Sequence, residues 1–425
     1  MNGDPALRAA SSAGNGWTSG QYSVFRAVFG LYLCVHFAGL VPWGPELFSD
    51  QGVLARGTSS PLLHLFPNIF AVADSPLLVQ GFLVLAAALS LLLAGGWCDR
   101  GAAIALWYLW ACLFGRNPLI ANPSLPYIGW LLLAHAAIPP VPYGSWAARG
   151  KTYSSRAWRL PQGIFLAAWV LMALGYSYSG WIKLSSPSWV DGSALLRVLE
   201  NPLARPGPVR SLLLAQPPAV LRWATWGALG LELGFAPLAL VRRVRRWIWL
   251  AMVAMHLGLL LVIRFPDLTA GMLILHMFTF DPGWVPAARA EGVERLFYDG
   301  HCGLCHRFVR FVLFEDRSGN AFRFAPLQGA TMEASVPEAQ REQLPDSLVL
   351  RTADGRLVTR SSAVIHLLVH LGGSWRILGT VLAAVPAGLR DAAYDAVARI
   401  RYRLFRQPSD LCPLVPADVR ARFDP

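Results

Sequence analysis

Apolar runs fill most of the first two-thirds of the chain, at 22–41, 77–97, 101–115, 127–141, 164–182, 220–241, 247–263 and 268–280. A membrane span needs about 20 apolar residues and several of these runs are shorter, so about eight spans are expected. Residues 1–20 ("MNGDPALRAASSAGNGWTSG") are small, polar and Gly/Ser-rich. They lack the apolar run of a secretory signal and read as a mobile, disordered tail.

Beyond Ala290 the pattern changes. "VERLFY" reads as a strand, and "CHRFVRFVLFEDR" as a helix with Phe308, Phe311, Val312 and Phe314 on one side. "AFRFAPL" is a second strand, and "SLVLRTADGRLVTR" a hairpin turning at Asp354-Gly355. Helices follow at 362–371 and in the last fifty residues. The order β-α-β-β-β-α suits a small α/β domain of the thioredoxin type. The expected organisation is a tail over 1–20, an α-helical polytopic membrane domain over 21–285, and a thioredoxin-like domain over 291–425. No internal repeat is visible.

Composition supports a membrane protein: of 425 residues 55% are hydrophobic and 17 are tryptophan. The net charge is +12. Residues 291–425 hold 17 arginines against 15 acidic residues, so the apolar part carries +10 of it. Positive charge beside apolar helices fits the cytoplasmic leaflet and argues against nucleic acid as a partner. The 142–160 connection holds Arg149, Lys151, Arg156 and Arg159, and "RRVRR" fills 242–246. With eight spans both lie on one side, which the positive-inside rule makes cytoplasmic, together with the amino terminus and everything after Pro282. The 184–219 connection, with Arg197, Arg205 and Arg210, is a mild counter-signal. The expected location is the cell (inner) membrane, crossed several times, with the C-terminal domain in the cytoplasm.

Six cysteines exclude a disulfide-rich extracellular framework. Cys34, Cys98 and Cys112 lie in the apolar part without helpful spacing and read as packing residues. The chemistry concentrates in "YDGHCGLCHRF", where Cys302 and Cys305 are two residues apart and His306 follows. That spacing serves a redox dithiol, half a zinc site, a covalent haem attachment or a merely structural pair. Zinc would need further ligands, and the lone Cys412 with His366 and His370 at i, i+4 spacing does not make a matching pair, so no metal is assigned. Haem attachment is opposed by the cytoplasmic placement. The strand–turn–helix context favours redox chemistry. At the first turn of a helix the Cys302 thiolate would form below its free pKa, near 8.5, and an exposed Cys302 would attack a substrate disulfide. Cys305, one turn on, would resolve the mixed disulfide. His301 and His306 flank the pair and could tune it or be bystanders.

At this point the sequence resembles the DCC family of thiol-disulfide oxidoreductases, named for D-x-x-C-x-x-C, here Asp299, Cys302 and Cys305. The resemblance runs from "YDGHCGLCHRFVRFVLFEDRSGNAFRFAPLQG" through "DSLVLRTADGRLVTRSSAVIHLLVHLGGSWRILG" to "DAAYDAVARIRYRLFR", nearly all of 294–415. It implies a thioredoxin-like fold and dithiol chemistry, with Pro345 as the candidate for the cis-proline such folds place beside the dithiol. The basic helix "DAVARIRYRLFR" reads either as a solvated face or as a segment lying on an anionic membrane.

Ionisable groups inside the apolar runs are Arg26, His36, His135, Lys183, Glu232, His256 and His276. Each is a functional candidate, against the blander reading of pairing between helices. Lysine occurs only at 151 and 183 among 37 basic residues, and a desolvated lysine, unlike arginine, can act as a base. "GYSYSGWIKLSSPSWVDGSAL", with "ELFSDQGVL" and "HLGLLLVIRFPDLTAGMLILHMFTF", resembles the HTTM domain of vitamin-K-dependent γ-glutamyl carboxylases, patchily over 20–285. The resemblance implies that Lys183 matches the lysine base that deprotonates reduced vitamin K. Trp189, Asp191 and Gly192 in the same segment then join Glu232, His256 and His276 as membrane-site candidates. Asn122-Pro123-Ser124 has proline where the carboxylases carry histidine, and their large luminal domain is missing. Both departures argue against γ-carboxylation and leave a quinone (menaquinone, ubiquinone or vitamin K-like) or another isoprenoid lipid as the implied ligand.

The expected protein is a membrane-bound thiol-disulfide oxidoreductase acting on a disulfide-bearing protein or a small thiol, coupled to a quinone in the membrane domain. Lys183 would end its span on the outer face, so a mobile quinone would have to link it to a cytoplasmic dithiol. The alternatives are a lipid- or quinone-modifying enzyme or transporter with a redox-sensing dithiol, and a non-catalytic immunity or signalling protein.

Overall fold

The computed structural model describes residues 15–55, 60–140, 142–149, 158–288, 292–317, 319, 321–405, 415 and 417–425. Cys412 and the 150–157 stretch with Lys151 and Arg156 lie outside them. The chain divides into two compact units. One gathers Met1–Val24, Val141–Leu160 and Asp281–Pro425; the other is Phe25–Pro140 with Pro161–Phe280.

All eight apolar runs are helical: Ser19–Leu40, Pro76–Gly95, Asp99–Arg116, Leu125–Ala137, Gln162–Lys183, Pro218–Leu240, Arg242–Val262 and Pro266–Thr279. Among the described residues, four are long and apolar enough to cross a membrane: Ser19–Leu40, Pro76–Gly95, Gln162–Lys183 and Arg242–Val262. The expected eight are thus not all of spanning length and composition. Leu125–Ala137 and Pro266–Thr279 have 13 and 14 residues. At 1.5 Å per residue each reaches only about 20 Å, against a hydrocarbon core of about 30 Å. Asp99–Arg116 carries charge at both ends, and Pro218–Leu240 is interrupted by Arg222, Glu232 and Pro237.

Pro237 has no N–H, so the Leu233 carbonyl four residues back has no helical donor. Ser177 of Gln162–Lys183 fills the gap, its Oγ donating to Leu233 O at 3.2 Å and accepting from Ala236 N at 3.0 Å. The two helices can come this close because Gly180 has no side chain: a Cβ there would lie 2.8 Å from Leu233 N.

In the other unit the strands are β1 (Glu294–Tyr298), β2 (Phe322–Pro326), β3 (Val349–Arg351) and β4 (Leu357–Thr359), in the order β2-β1-β3-β4. β1 pairs parallel with β2 and antiparallel with β3, and β3 pairs antiparallel with β4. Gly355, at φ +84°, makes the hairpin turn. Side chains alternate across β1. Leu296 and Tyr298 enter a core with Val309, Val312 and Leu367, while Phe297 faces Met332, Val336 and Val349 on the other side. Both faces of the central strand are therefore dry, which the apolar "LFY" requires.

Residues 15–20, read as part of the mobile tail, are instead packed, with Asn15, Trp17 and Thr18 buried. The Thr18 hydroxyl and the Gly20 N–H (2.9 Å) donate to the buried Glu315 carboxylate, as does Trp375 Nε1 at 2.6 Å. A buried carboxylate needs its lone pairs filled, and this segment fills them. The 142–149 stretch joins the same unit through Tyr143, whose hydroxyl donates to Arg307 O at 3.1 Å.

Candidate functional site

Cys302 is the N-cap of helix Gly303–Glu315, in extended backbone at φ −105°, ψ 112°. β1 ends at Tyr298 and the loop 299–301 delivers the cysteine to the point where helix N–H groups are free. Its Sγ accepts from Cys305 N at 3.4 Å. Both cysteines are free thiols.

Electrostatics separate the two sulfurs. The Cys305 thiol donating to it, the N–H groups of Cys305 and Leu304, and the Arg401 guanidinium hold the Cys302 thiol down to about 6, although burial opposes them. Donation to Cys302, burial and the charge on Cys302 push the Cys305 thiol well up. One sulfur is a ready thiolate and the other a protonated donor.

Asp299 organises the approach. Its carboxylate accepts from His301 N at 2.9 Å, Gln328 Nε2 at 3.2 Å, Arg401 at 3.4 Å and the Tyr402 hydroxyl. Burial would raise its pKa, but these donors, Tyr402 foremost, hold it below the usual carboxylate range. Arg401 also pairs with Asp346 at 2.7 Å. Arg401 and Tyr402 sit near the end of helix Ala387–Leu404, whose Tyr394 hydroxyl accepts from Leu348 N at 3.0 Å, just before β3.

Two expectations are corrected here, the exposure of Cys302 and the cis form of Pro345, and the flanking histidines are placed. Cys302 is not exposed: its relative exposure is 0%, so a substrate disulfide reaches it only after movement. His301 is exposed and His306 packs edge-on against Tyr298, their ring centroids 5.8 Å apart; the cation that acts on Cys302 is Arg401. Pro345 is not a cis-proline, because no peptide bond among the described residues is cis. It leads in trans, the default isomer, into Asp346, the partner of Arg401.

In the helical unit every ionisable candidate meets a polar partner on another helix. Arg26 lies 3.9 Å and His135 3.4 Å from Asp99. His36 meets Asp267 at 2.7 Å. Lys183 forms an ion pair with Glu232 at 2.5 Å and lies 4.4 Å from the Trp189 ring centre. Tyr176 bridges His256 at 2.6 Å and His276 at 2.7 Å. Asp191 accepts from Ser193 N at 2.8 Å in a turn closed by Gly192 at φ +81°, where a Cβ would lie 2.2 Å from Arg222 Cγ. Lys183, Glu232 and Trp189 are thus together, and Tyr176 gathers the two histidines. An apolar cavity of about 480 Å³ opens elsewhere, lined among others by Tyr32, His36, Trp110, Asn122, Phe265 and Asp267. Lys183 does not line it. Tyr32 and Asn122 both donate to Asp267, at 3.1 and 3.0 Å.

A pair of free thiols thus stands at the head of a helix in the unit that holds the four-stranded sheet. Residues 296–407 match the family model described as DCC1-like thiol-disulfide oxidoreductase. Over 134 residues the chain is 34% identical to the uncharacterized protein YuxK of Bacillus subtilis (strain 168), covering 93% of that protein and 31% of this one. Over 119 residues it is 30% identical to the chloroplastic DCC family protein At1g52590 of Arabidopsis thaliana, covering 68% of that protein and 28% of this one. No solved structure matches. Through its C-terminal domain the chain belongs to the DCC1-like thiol-disulfide oxidoreductase family.

Proposed function

We propose that the protein is a membrane-bound thiol-disulfide oxidoreductase whose C-terminal domain is thioredoxin-like. The observation that carries this is the unequal pair of sulfurs, with Cys302 held down to about 6 at a helix N-cap. The sheet order β2-β1-β3-β4 with a parallel β1–β2 pair supports the thioredoxin-like assignment. The Cys302 thiolate attacks one sulfur of a substrate disulfide, forming a mixed disulfide and releasing the other substrate sulfur as a thiolate that takes up a proton. Cys305 then gives up its proton and attacks Cys302 Sγ. The Cys302–Cys305 disulfide forms, the second substrate thiol leaves, and two electrons have passed to the substrate. Run in reverse, the oxidised pair accepts two electrons from a dithiol.

Residues 15–24, 142–149 and 281–425 share one compact unit, which supports their lying on one membrane face, with an even number of crossings in each intervening segment. Four, six or eight crossings all satisfy this. With four of them between 161 and 280, "RRVRR" at 242–246 lies on the same face as 142–160, so the positive-inside rule favours four crossings in that segment and a cytoplasmic dithiol.

Quinone coupling is a second reading, favoured by the apolar cavity in the helical unit. There His36 and Asp267, rather than Lys183, would meet a lipid-soluble carrier, and Lys183 keeps Glu232 as its partner. The test is the reduction potential of the dithiol in detergent-solubilised protein, with and without added menaquinone or ubiquinone. A reversible two-electron couple between about −270 and −120 mV is expected. Faster oxidation with quinone supports coupling, and a dithiol that does not cycle refutes the oxidoreductase reading.

A further inference from the structure

The far end of β1 holds a second cluster. Glu294, the first residue of the strand, is buried, and its carboxylate meets His366 Nε2 at 2.9 and 3.0 Å. His370, one turn further along helix Arg360–Leu371, stacks on His366 with ring centroids 4.1 Å apart and planes 17° from parallel. Its Nδ1 lies 2.8 Å from His366 O, on its own helix. That contact makes Nδ1 the protonated nitrogen and leaves the Nε2 lone pair free. A metal-bound histidine is held in the same way, one ring nitrogen donating to a carbonyl and the other on the metal.

We propose that Glu294, His366 and His370 form a zinc site, with the fourth position open to water. One ligand atom from each residue already lies within 4.8 Å of the other two. Tetrahedral zinc with bonds of about 2.0–2.1 Å places ligand atoms about 3.3 Å apart. The His366–Glu294 pair, at 2.9 Å, opens by a few tenths of an ångström, and His370 swings inward about its side-chain torsions. The donor set, two imidazoles and a carboxylate, suits zinc and provides an anion to offset its charge in a buried setting. The i, i+4 histidine pair finds its third ligand at the edge of a strand some seventy residues earlier, not at a cysteine. Four steps of about 3.3 Å along β1 put the site more than about 13 Å from the loop that carries Cys302, beyond any shared ligand. The metal would therefore pin helix Arg360–Leu371 to the central strand and take no part in thiol exchange.

The test uses detergent-solubilised full-length chain with Cys302→Ser, Cys305→Ser and Cys412→Ser, so that these thiolates cannot take the ion. It is titrated with Co²⁺ as a spectroscopic probe and competed with Zn²⁺. One ion per chain, with tetrahedral visible bands and no thiolate charge-transfer band, is expected. Beyond its own helix His370 meets only the edge-on ring of Phe322 among the described ring contacts, at 6.4 Å between centroids, so His370→Ala should weaken binding at least tenfold with the circular dichroism unchanged, while His301→Ala leaves binding intact. If His370→Ala fails to fold, Glu294→Gln gives the same readout, since it keeps a hydrogen bond to His366 and removes the anionic ligand. Absence of binding, or binding that neither variant weakens, overturns the site.

Discussion

Replacing Cys305 by alanine removes the largest influence that holds the Cys302 thiol down to about 6. At pH 7 the wild-type thiol is about nine-tenths ionised. A hydrogen bond to a charged group contributes about 1.5–3 kcal/mol, and each pKa unit corresponds to about 1.4 kcal/mol. Losing the Cys305 donor should therefore raise Cys302 by about one to two units, to about 7–8. The thiolate fraction at pH 7 then falls to between about a half and a tenth. Attack on a small disulfide changes by less than about threefold, because a more basic thiolate is also a better nucleophile. Departure of Cys302 from a mixed disulfide slows instead, since leaving ability follows a low pKa. The assay is an ultraviolet titration of thiolate absorbance, taken as the difference from Cys302→Ser so that the remaining cysteines cancel. A midpoint that stays near 6 in Cys305→Ala would refute the role given to Cys305. A wild-type midpoint near 8.5 would refute the whole electrostatic account of the site.

Two further outcomes follow from the same geometry. Because the Cys302 pKa is lowered on folding, its stabilisation of the reduced domain is fully present above about pH 8.5 and is lost as pH falls through about 6. Hydrogen-exchange protection of β1, corrected for intrinsic exchange, should fall by up to about 3 kcal/mol over that window, and should not do so in Cys302→Ser. Arg401→Ala strips Asp299 and Asp346 of their shared cation and should free the end of Ala387–Leu404. Alkylation of Cys302 at pH 9, where ionisation is no longer limiting, should then run several-fold faster; an unchanged rate would show that this helix does not control access.

Much of the dithiol domain was legible because its signals are local. "VERLFY", "AFRFAPL" and the Asp354-Gly355 turn carry strand and hairpin patterns within a few residues, and the observed strands follow them. The N-cap position of Cys302 was readable from strand followed by turn followed by helix. Its cover was not. Arg401 and Tyr402 reach Asp299 across about a hundred residues, and in sequence they belong to a basic, part-apolar helix that reads as a surface element. Asp99 and Asp267 were missed for a different reason. Both stand in the first turn of their helices, where the free N–H groups favour an acid, and so fell just outside apolar runs counted from 101 and 268. The partners of Arg26, His135 and His36 were hidden with them. Trp17 and Thr18 looked like tail because the residues before them are small and polar; Trp17 packs edge-on against Tyr22, and the acceptor of the Thr18 hydroxyl, Glu315, lies 297 residues further on.

That last feature constrains biosynthesis. Thr18 and Gly20 leave the ribosome well before the carboxylate they bind, since Glu315 is translated 297 and 295 residues later. At about 5–20 residues per second that is a wait of about 15–60 s. During it the Thr18 hydroxyl and the Gly20 N–H wait for their acceptor. A chain cut short before Glu315 would leave the Thr18 hydroxyl and the Gly20 N–H without this acceptor, and the segment from Asn15 to Gly20 without that anchor.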